Sequence, residues 1–326
     1  MYTSLSASGL MVSRIVLGTA TFGVAPDTQS ALGLIEAALA AGVTTVDTAN
    51  SYGDQARFDR PGVPPWTLRP SAEALIGEAL QGRRDMAVIS TKVGEPIGDG
   101  TNDSGLGRTH ILRSVERSLQ RLRTDYLDML VAHHPDPSTS PSEWLRTMDD
   151  LIQQGVIRHY GISNFEEWQL RDVLAECLRH GYTRPVCMHV KYSLARRRAE
   201  AEVLPASRHA EIDVIAYAPL AGGLLTDRSS QSELAGDTRW GGAAYTEADL
   251  DLSRRLQARA REWGVRASDL AIAWVLAQPG VACTVIGPET VQQLEHAVAA
   301  QALALPPDRL ALVGSLSSTA QADWNE

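Results

Sequence analysis

The chain has 326 residues, of which 44% are hydrophobic and 21% are charged, so it is long enough to bury a sizeable core. Its net charge of -9 argues against nucleic acids and anionic membrane surfaces as main partners. The three cysteines lie far apart without CxxC spacing, so we expect neither a disulfide framework nor a metal site, and a reducing cytoplasm fits them best. No basic segment precedes an apolar stretch at the N-terminus, and no apolar run approaches about 18 residues, so we expect neither a signal peptide nor a membrane span.

Short apolar runs rich in β-branched residues alternate along the chain with longer segments of helical period. In chain order, these runs predict strands over residues 14–18, 44–47, 86–91, 126–132, 157–162, 186–190, 213–218 and 283–286. The periodic segments predict helices over residues 28–41, 71–81, 108–123, 141–154, 165–180, 199–209 and 290–300. Thr109 is the predicted N-cap of the third helix, and glycines at 42, 155 and 181 are predicted to follow helix ends.

Strand–helix units of roughly thirty to forty residues, eight in number, predict an α/β fold of the (β/α)8 TIM-barrel type. We expect a single domain over residues 1–326, with a hairpin over residues 2–12, turning at Gly9, that closes the barrel floor. Residues 53–70 and 226–246 are predicted to be long loops on the face where the strands end, and an extra helix is predicted to follow the second loop. Long loops in compact domains are commonly lids or binding loops.

Ionisable residues lie at or just after the ends of three early strands. Asp47, Lys92 and His133 each end an apolar run, and Tyr52 follows Asp47 by five residues. In a parallel barrel, reactive groups gather at the carboxyl ends of the strands. A nearby ammonium stabilises phenolate, and a carboxylate can hold that ammonium through a charge-assisted hydrogen bond. The four residues therefore predict a proton-donating site with Tyr52 as the general acid, because its pKa of about 10 would move toward neutrality.

These residues belong to a series of motifs that resembles the aldo-keto reductase superfamily along nearly the whole chain. The motifs are Ile15-Val16-Leu17-Gly18-Thr19, Val46-Asp47-Thr48-Ala49-Asn50-Ser51-Tyr52-Gly53, Ser90-Thr91-Lys92-Val93-Gly94, Asp125-Tyr126-Leu127-Asp128-Met129-Leu130, Gly161-Ile162-Ser163-Asn164-Phe165 and Ala216-Tyr217-Ala218-Pro219-Leu220-Ala221-Gly222-Gly223. The resemblance implies a barrel, a coenzyme (NADP or NAD) bound without a Rossmann fold, and reduction of a small carbonyl compound. The family's catalytic tetrad corresponds to Asp47, Tyr52, Lys92 and His133, rather than His134.

The resemblance also implies a coenzyme site. Ser163 and Asn164 would hold the nicotinamide carboxamide, and Tyr217 would stack on the ring. Without the family, Ser163-Asn164 could equally be a helix N-cap before Phe165. Backbone N–H groups of residues 218–225 would wrap the pyrophosphate, because glycines permit close approach. Further positions assigned to the coenzyme are Gly18, Thr19, Asp47, Ala218, Pro219, Leu220, Gly222, Gly287, Thr290 and Gln293.

Two departures from the family pattern concern this coenzyme site. His189 stands where the family usually has Gln, and imidazole can still donate a hydrogen bond. Glu289 stands where the family commonly has an Arg that pairs with the 2′-phosphate, and Ala297 stands where it commonly has an adenine-contacting Asn. At about 4 Å and an effective dielectric constant of about 20, like charges cost on the order of 4 kcal/mol, so NADPH should bind poorly. Alternatively, Glu289 is an exposed residue at a helix start, where the helix dipole favours it.

The substrate is less well defined by the sequence. The spacing from Tyr126 to the Gly161 motif resembles bacterial branches that act on sugars, deoxysugars and nucleotide-deoxysugars. Trp66 and Trp240 could provide flat surfaces for a ring of the substrate, beside Tyr52 and His133. Four arginines could bind phosphate groups of a substrate: Arg57, Arg60, Arg197 and Arg239. The alternative for each is a solvated or packed loop residue.

Two other functions remain open at this stage. One is a dehydrogenase working in the oxidative direction with NAD, which Glu289 would favour. The other is a non-catalytic, coenzyme-binding regulatory subunit, as the family's potassium-channel β-subunits illustrate. The sequence also leaves the oligomeric state open, including a homo-oligomer.

Overall fold

A closed barrel of parallel strands organises the computed structural model, which describes residues 1–6, 8–59, 61–227 and 245–317. The barrel strands, in the order in which they pair, are β3 (Ile15–Gly18), β4 (Thr45–Asp47), β5 (Val88–Val93), β6 (Leu127–Ala132), β7 (Ile157–Ser163), β8 (Cys187–Lys191), β9 (Asp213–Tyr217) and β10 (Val281–Ile286). Strand β10 pairs in parallel with β3 and so closes the ring. The predicted (β/α)8 barrel is confirmed.

Helices follow the strands around the outside of the barrel. They are α1 (Thr28–Ala40), α2 (Ala72–Ala79), α3 (Arg108–Leu122), α4 (Pro141–Gln153), α5 (Glu167–His180), α6 (Val203–His209), α7 (Glu247–Glu262), α8 (Ala267–Leu276), α9 (Val291–Ala300) and α10 (Pro307–Gly314). Within the described part of the chain, each helix is too short or too polar to span a lipid bilayer. Two short 3-10 turns, Ala56–Phe58 and Trp66–Leu68, lie in the long loop that precedes α2.

The N-terminal hairpin closes the floor of the barrel, as the sequence predicted. Strands β1 (Tyr2–Ser4) and β2 (Met11–Ser13) pair antiparallel, with Gly9 at a φ of 75° in the connection. Leu5 and Val12 are fully buried against side chains from inside the barrel. The inner cluster that they join consists of Val16, Met129, Val131, Val186, Cys187, Ile215, Ala282 and Cys283.

The alternation of side chains along the strands indicates which residues face the barrel interior above this inner cluster. Because successive strand residues point to opposite faces, the residue two places after an inward-facing one also faces inward. Because Val131, Cys187 and Ile215 face inward, we expect three further side chains to face the barrel interior. These are His133, His189 and Tyr217, each two residues after one of them. We call the upper ring the eight residues that lie near or directly after the carboxyl end of each barrel strand: Gly18, Asp47, Lys92, His133, Ser163, His189, Tyr217 and Val285.

Several details of the sequence prediction are wrong. Helix α3 begins at Arg108 after Gly107, so Thr109 lies inside its first turn and is not the N-cap. Glu166 caps α5 in a capping box with Gln169, so Ser163-Asn164 is not a helix N-cap. The predicted helix 199–209 is a 3-10 turn, Arg198–Glu200, followed by α6. Helices α7, α8 and α10 have no counterpart in the predicted ranges, although an extra helix was expected after residue 246.

Helices α2 and α3 are in contact at a glycine, which gives a test of the packing. A Cβ on Gly77 would lie 2.3 Å from the carbonyl oxygen of Arg121. We expect Gly77→Ala to destabilise the fold by about 1–3 kcal/mol, the usual cost of overpacking. The matched control is Gly33→Ala in α1, where a Cβ has nothing within 4 Å and should stabilise the helix by about 0.5–1 kcal/mol. Equilibrium urea unfolding measures both changes. Equal free energies of unfolding for the two variants would contradict the close contact of α2 and α3 at Gly77.

Candidate active site

Asp47, Lys92 and Tyr52 form the centre of the predicted site. The Lys92 ammonium donates to Asp47 Oδ2 at 2.5 Å and to the Thr48 carbonyl oxygen at 2.8 Å. It also lies 5.1 Å from the centre of the Tyr52 ring. Burial disfavours the charged form of Lys92, but the attraction of Asp47 and Tyr52 outweighs it and raises the pKa of Lys92. The ammonium therefore stays protonated beside the phenol.

His133 is the second neighbour of the phenol. Its Nε2 is 3.5 Å from the Tyr52 hydroxyl oxygen, and the two rings meet edge to face with centroids 5.8 Å apart. His133 and Lys92 are buried, whereas Tyr52 is half-buried. The structure thus brings together all four residues of the predicted tetrad, with the Tyr52 hydroxyl at the edge of the buried ion pair. Such an arrangement can donate a proton to an oxygen atom at the barrel mouth.

The loop that carries Tyr52 is held by several main-chain contacts. The Ala72 N–H at the start of α2 donates to the Tyr52 carbonyl oxygen at 2.9 Å. Gly53 has a φ of 90°, and a Cβ there would lie 2.9 Å from the Ala72 nitrogen, so only glycine fits. Arg69 Nε donates to the Gly53 carbonyl oxygen at 2.9 Å, and Arg121 Nη1 donates to that of Asn50 at 3.1 Å. Neither arginine could be identified from the sequence, because neither belongs to a recognisable motif.

His189 occupies the upper ring beside Asp47. Its Nδ1 lies 3.7 Å from Asp47 Oδ1, which is too long for a hydrogen bond. Burial lowers the pKa of His189 to about 4, despite the opposing effect of Asp47, so the imidazole is neutral at physiological pH. Within the described part of the chain, His189 Nε2 and Asp47 Oδ1 are buried without a hydrogen-bond partner. Orphaned buried polar atoms of this kind fit a site that is completed by a bound molecule.

Asn164 and Tyr217 meet at the ends of β7 and β9. The Tyr217 hydroxyl donates to Asn164 Oδ1 at 2.7 Å, and Asn164 Nδ2 donates to the His133 carbonyl oxygen at 3.0 Å. Asn164 has a φ of 63°, in the left-handed region that Asn tolerates better than most residues. Ser163, at the end of β7, is buried next to it. Ser163 and Tyr217 therefore lie in the same upper ring as Asp47, Lys92 and His133, and Asn164 directly follows Ser163.

The predicted pyrophosphate segment, residues 218–225, forms a tight turn. Ala218, Ala221, Gly222 and Gly223 all have positive φ values, between 48° and 99°. N–H groups of this segment donate to its own carbonyl oxygens from Ala221, Gly223, Leu224 and Leu225. Four of the N–H groups in the segment predicted to wrap the pyrophosphate therefore have partners within the turn itself. Pro219, Leu220 and the remaining N–H groups of the turn lie next to the end of β9.

Two further groups of predicted coenzyme-binding residues lie at the end of β3 and between β10 and α9. A Cβ on Gly18 would lie 2.7 Å from Val285 Cγ1, so the glycine permits close packing of these strands, and the Thr19 hydroxyl donates to the Asp47 carbonyl oxygen at 3.0 Å. Nothing lies within 4 Å of a Cβ built on Gly287. Thr290 caps α9 by accepting from the Gln293 N–H at 3.2 Å, and Glu289 N–H donates to Gln293 Oε1 at 2.8 Å. Thr290 and Gln293 are therefore used in capping, and Glu289 lies at the start of a helix.

The tryptophans and arginines predicted to contact substrate are exposed, packed elsewhere or outside the described residues. Trp66 is 44% exposed in the loop before α2, and its backbone N–H donates to Asp59 Oδ1. Trp240, Arg239 and Arg60 lie outside the described residues, as does the side chain of Arg57. Arg197 donates to Glu200 and to the Gly314 carbonyl oxygen, so it is a packed residue and not a phosphate ligand.

Glu95, His133 and His134 have potential metal-ligand atoms within 4.8 Å of one another. The two imidazole rings are stacked, with centroids 4.7 Å apart and an angle of 16° between their planes. A metal ion in the plane of one ring would therefore lie outside the plane of the other. His134 Nε2 is 3.0 Å from Glu95 Oε1, and its Nδ1 is 3.2 Å from Asn164 Nδ2. The cluster is held by hydrogen bonds in a geometry that does not suit a metal ion.

A model of the Aldo/keto reductase family matches residues 14–318. The chain belongs to this family. The oxidoreductase YrpG of Bacillus subtilis (strain 168), whose name calls it uncharacterized, is 36% identical over 97% of this chain and 95% of its own. A probable voltage-gated potassium channel subunit beta of Oryza sativa subsp. japonica is 30% identical over 90% of this chain and 88% of its own. Versiconal hemiacetal acetate reductase of Aspergillus parasiticus is 28% identical over 95% of this chain and 94% of its own.

Family membership makes the chain an oxidoreductase of a group that generally uses NAD(P)H. The resemblance stated from the motifs is thereby confirmed. The family match agrees with the fold, because the matched residues include all eight strands of the closed barrel.

Proposed function

We propose that this chain is an NAD(P)H-dependent reductase of aldehydes or ketones, with Tyr52 as the general acid. The observation that carries the proposal is the surroundings of Tyr52, whose hydroxyl lies 3.5 Å from His133 Nε2 and whose ring lies 5.1 Å from the ammonium of the buried Lys92–Asp47 ion pair. An ammonium held beside a phenol favours phenolate and so makes the phenol a stronger acid. A carbonyl oxygen that takes the place next to this hydroxyl would receive its proton.

The coenzyme would supply the hydride, and the residues of the upper ring fit its nicotinamide end. His189 Nε2 and Asp47 Oδ1 are orphaned within the described residues, and a carboxamide has both a donor and an acceptor to offer them. Ser163, Asn164 and Tyr217 would orient the nicotinamide. His133 would orient the substrate carbonyl toward Tyr52 through its Nε2. We propose that one domain, built on the barrel, contains the whole site.

The proposed substrate is a small carbonyl compound, and a sugar or nucleotide-deoxysugar is the finer candidate. The relative named as a hemiacetal acetate reductase supports the chemical class, because hemiacetals are masked aldehydes. We would follow the loss of reduced-coenzyme absorbance with a panel of aldoses, keto-sugars and aromatic aldehydes. Steady oxidation with any of them is expected. Failure of the whole panel, with both NADPH and NADH, would contradict the proposal.

A regulatory subunit is the second candidate, favoured by the rice relative named as a potassium channel subunit beta. The compact tetrad counts against a purely non-catalytic role. A regulatory subunit should hold reduced coenzyme tightly and reduce no carbonyl of the panel. An oxidative dehydrogenase would instead be most active with an alcohol and NAD, which the same assay measures in reverse.

The coenzyme preference is tested at Glu289. A half-buried carboxylate at the start of α9 would repel a 2′-phosphate, so we propose weak discrimination or a preference for NAD(H). Glu289→Arg should strengthen NADPH binding about tenfold, since repulsion is replaced by charge-assisted hydrogen bonds. NADH, which has no 2′-phosphate, should bind almost as before.

Fluorescence titrations of both coenzymes, at low and moderate salt, measure this effect, and salt should weaken it. The matched control is Glu295→Arg, which makes the same change of charge at an exposed position farther along α9. Strong wild-type preference for NADPH, unchanged in Glu289→Arg, would contradict the role assigned to Glu289. An equal gain in NADPH affinity in the two variants would mean that the change in net charge alone causes it, and would also contradict this role.

A further inference from the structure

Four side chains form a hydrogen-bonded chain across the barrel mouth. His134 Nε2 lies 3.0 Å from Glu95 Oε1, and His134 Nδ1 lies 3.2 Å from Asn164 Nδ2. The Tyr217 hydroxyl donates to Asn164 Oδ1 at 2.7 Å. The four residues follow or end β5, β6, β7 and β9, so the chain links the ends of strands on both sides of the mouth.

The chemistry of the partners fixes the direction of every bond. Asn164 Nδ2 also lies 3.0 Å from the carbonyl oxygen of His133, which can only accept. The amide nitrogen must therefore face this side, and the amide oxygen faces Tyr217. Asn164 Nδ2 also lies 3.1 Å from Ser163 Oγ, so its two hydrogens are shared among three neighbours. Because an amide nitrogen can only donate, His134 Nδ1 is the acceptor in its contact with Asn164. A neutral imidazole carries its single proton on the other nitrogen, so His134 Nε2 donates to Glu95.

His134 is held in place by more than these bonds. Its ring stacks on His133, and its side chain is 43% exposed at the mouth of the barrel. Glu95, which is 19% exposed, selects the tautomer by accepting the Nε2 proton. A ring in this position supports one of the two orientations of the Asn164 amide and opposes the other, in which the amide oxygen would face the lone pair on Nδ1.

We propose that His134, fixed by Glu95, is a positioning residue that holds the Asn164 amide in the orientation required by the nicotinamide carboxamide. The inference rests on the proposed function, in which Asn164 and Ser163 bind that carboxamide. His134 does not itself touch the reacting atoms. Its contribution is to reinforce the amide orientation that the His133 carbonyl oxygen and the Tyr217 hydroxyl also favour.

The first measurement compares coenzyme affinities. His134→Leu keeps an apolar side chain against His133 but removes the acceptor, and it should raise the Kd for NADPH and NADH about fivefold, the effect of one lost hydrogen bond. His134→Asn keeps an acceptor at the Nδ1 position and should stay within about twofold of the wild type. The matched control is His180→Leu, because His180 is also about 41% exposed, bonds to a glutamate and stacks on a ring. That variant should bind both coenzymes normally.

The second measurement identifies the carboxamide as the group concerned. In the acetylpyridine analogue of NAD, a methyl ketone replaces the carboxamide, so its contact with Asn164 is already incomplete. We expect His134→Leu to weaken NAD binding several-fold more than binding of this analogue. Equal weakening of both ligands, or a lower kcat with unchanged coenzyme Kd, would overturn the inference.

The outcomes separate this inference from the proposed function. Wild-type protein that binds neither coenzyme would contradict the proposed function, and with it the role of His134. Normal wild-type binding that is unchanged in His134→Leu would overturn the role of His134 alone. Loss of binding in His180→Leu as well would mean that the effect is not specific to the barrel mouth, and would also overturn it.

Discussion

Replacing Tyr52 by Phe is expected to lower the rate of carbonyl reduction by about 10²- to 10⁴-fold, the usual contribution of a general acid. The change removes the hydroxyl, which lies 3.5 Å from His133 Nε2, and keeps the ring that packs against the core. Coenzyme binding should therefore change little. Single-turnover measurements with bound reduced coenzyme report the chemical step, and a fluorescence titration reports the Kd.

Tyr182→Phe is the matched control for this variant. Tyr182 is also half-buried and also packs against a histidine, His180, with ring centroids 5.2 Å apart. It lies after α5, away from the strand ends that carry the tetrad, so its variant should reduce carbonyls at the wild-type rate. A Tyr52→Phe protein that reduces any accepted carbonyl at the wild-type rate would remove Tyr52 from the mechanism.

Replacing Lys92 by Met is expected to affect both stability and catalysis. The substitution leaves the Asp47 carboxylate buried without its counter-charge, and breaking a buried pair in this way costs about 3–5 kcal/mol. In alcohol oxidation, Tyr52 must act as the phenolate, which the ammonium no longer stabilises. The acidic limb of the oxidation pH profile should therefore move upward.

The double variant Lys92→Met with Asp47→Asn separates the two effects. Its neutral amide removes the unpaired charge, so urea unfolding should recover much of the lost stability. Its pH profile should stay displaced, because Tyr52 still lacks the ammonium. An unchanged profile in a folded, active Lys92→Met protein would show that the lysine does not act on Tyr52, whatever happens to stability.

The strands and the tetrad could be predicted because their signals are local. A β-branched run that ends on Asp47 or His133 is visible within a few residues, and the barrel then brings the strand ends together. Helix α8 was missed because it is buried on nearly all sides, so its residues show no alternation between apolar and polar faces. The interpretation of Ser163-Asn164 as an N-cap failed because Glu166 and Gln169 satisfy the first N–H groups of α5 instead.

Contacts between distant side chains could not be predicted from the sequence. Arg69 and Arg121 hold the Tyr52 loop through carbonyl oxygens, and any residue can offer a carbonyl oxygen, so no residue pattern marks such a contact. The bond between His134 and Glu95 joins the ends of two strands and depends on the rotamers of both residues. His189 was identified only as a departure from a family motif, and its burial beside Asp47 required the packed barrel.

The most direct test of the central claim is the fate of the hydride. Reduced coenzyme that carries deuterium at the transferable position of the nicotinamide would be incubated with an accepted aldehyde, and the product alcohol would be examined by mass spectrometry and NMR. We predict deuterium at the carbinol carbon for the wild type and for Tyr182→Phe, with product formation nearly abolished in Tyr52→Phe. Alcohol without deuterium, or reduced coenzyme that stays bound and unchanged with every carbonyl tried, would contradict the assignment of this barrel as a carbonyl reductase.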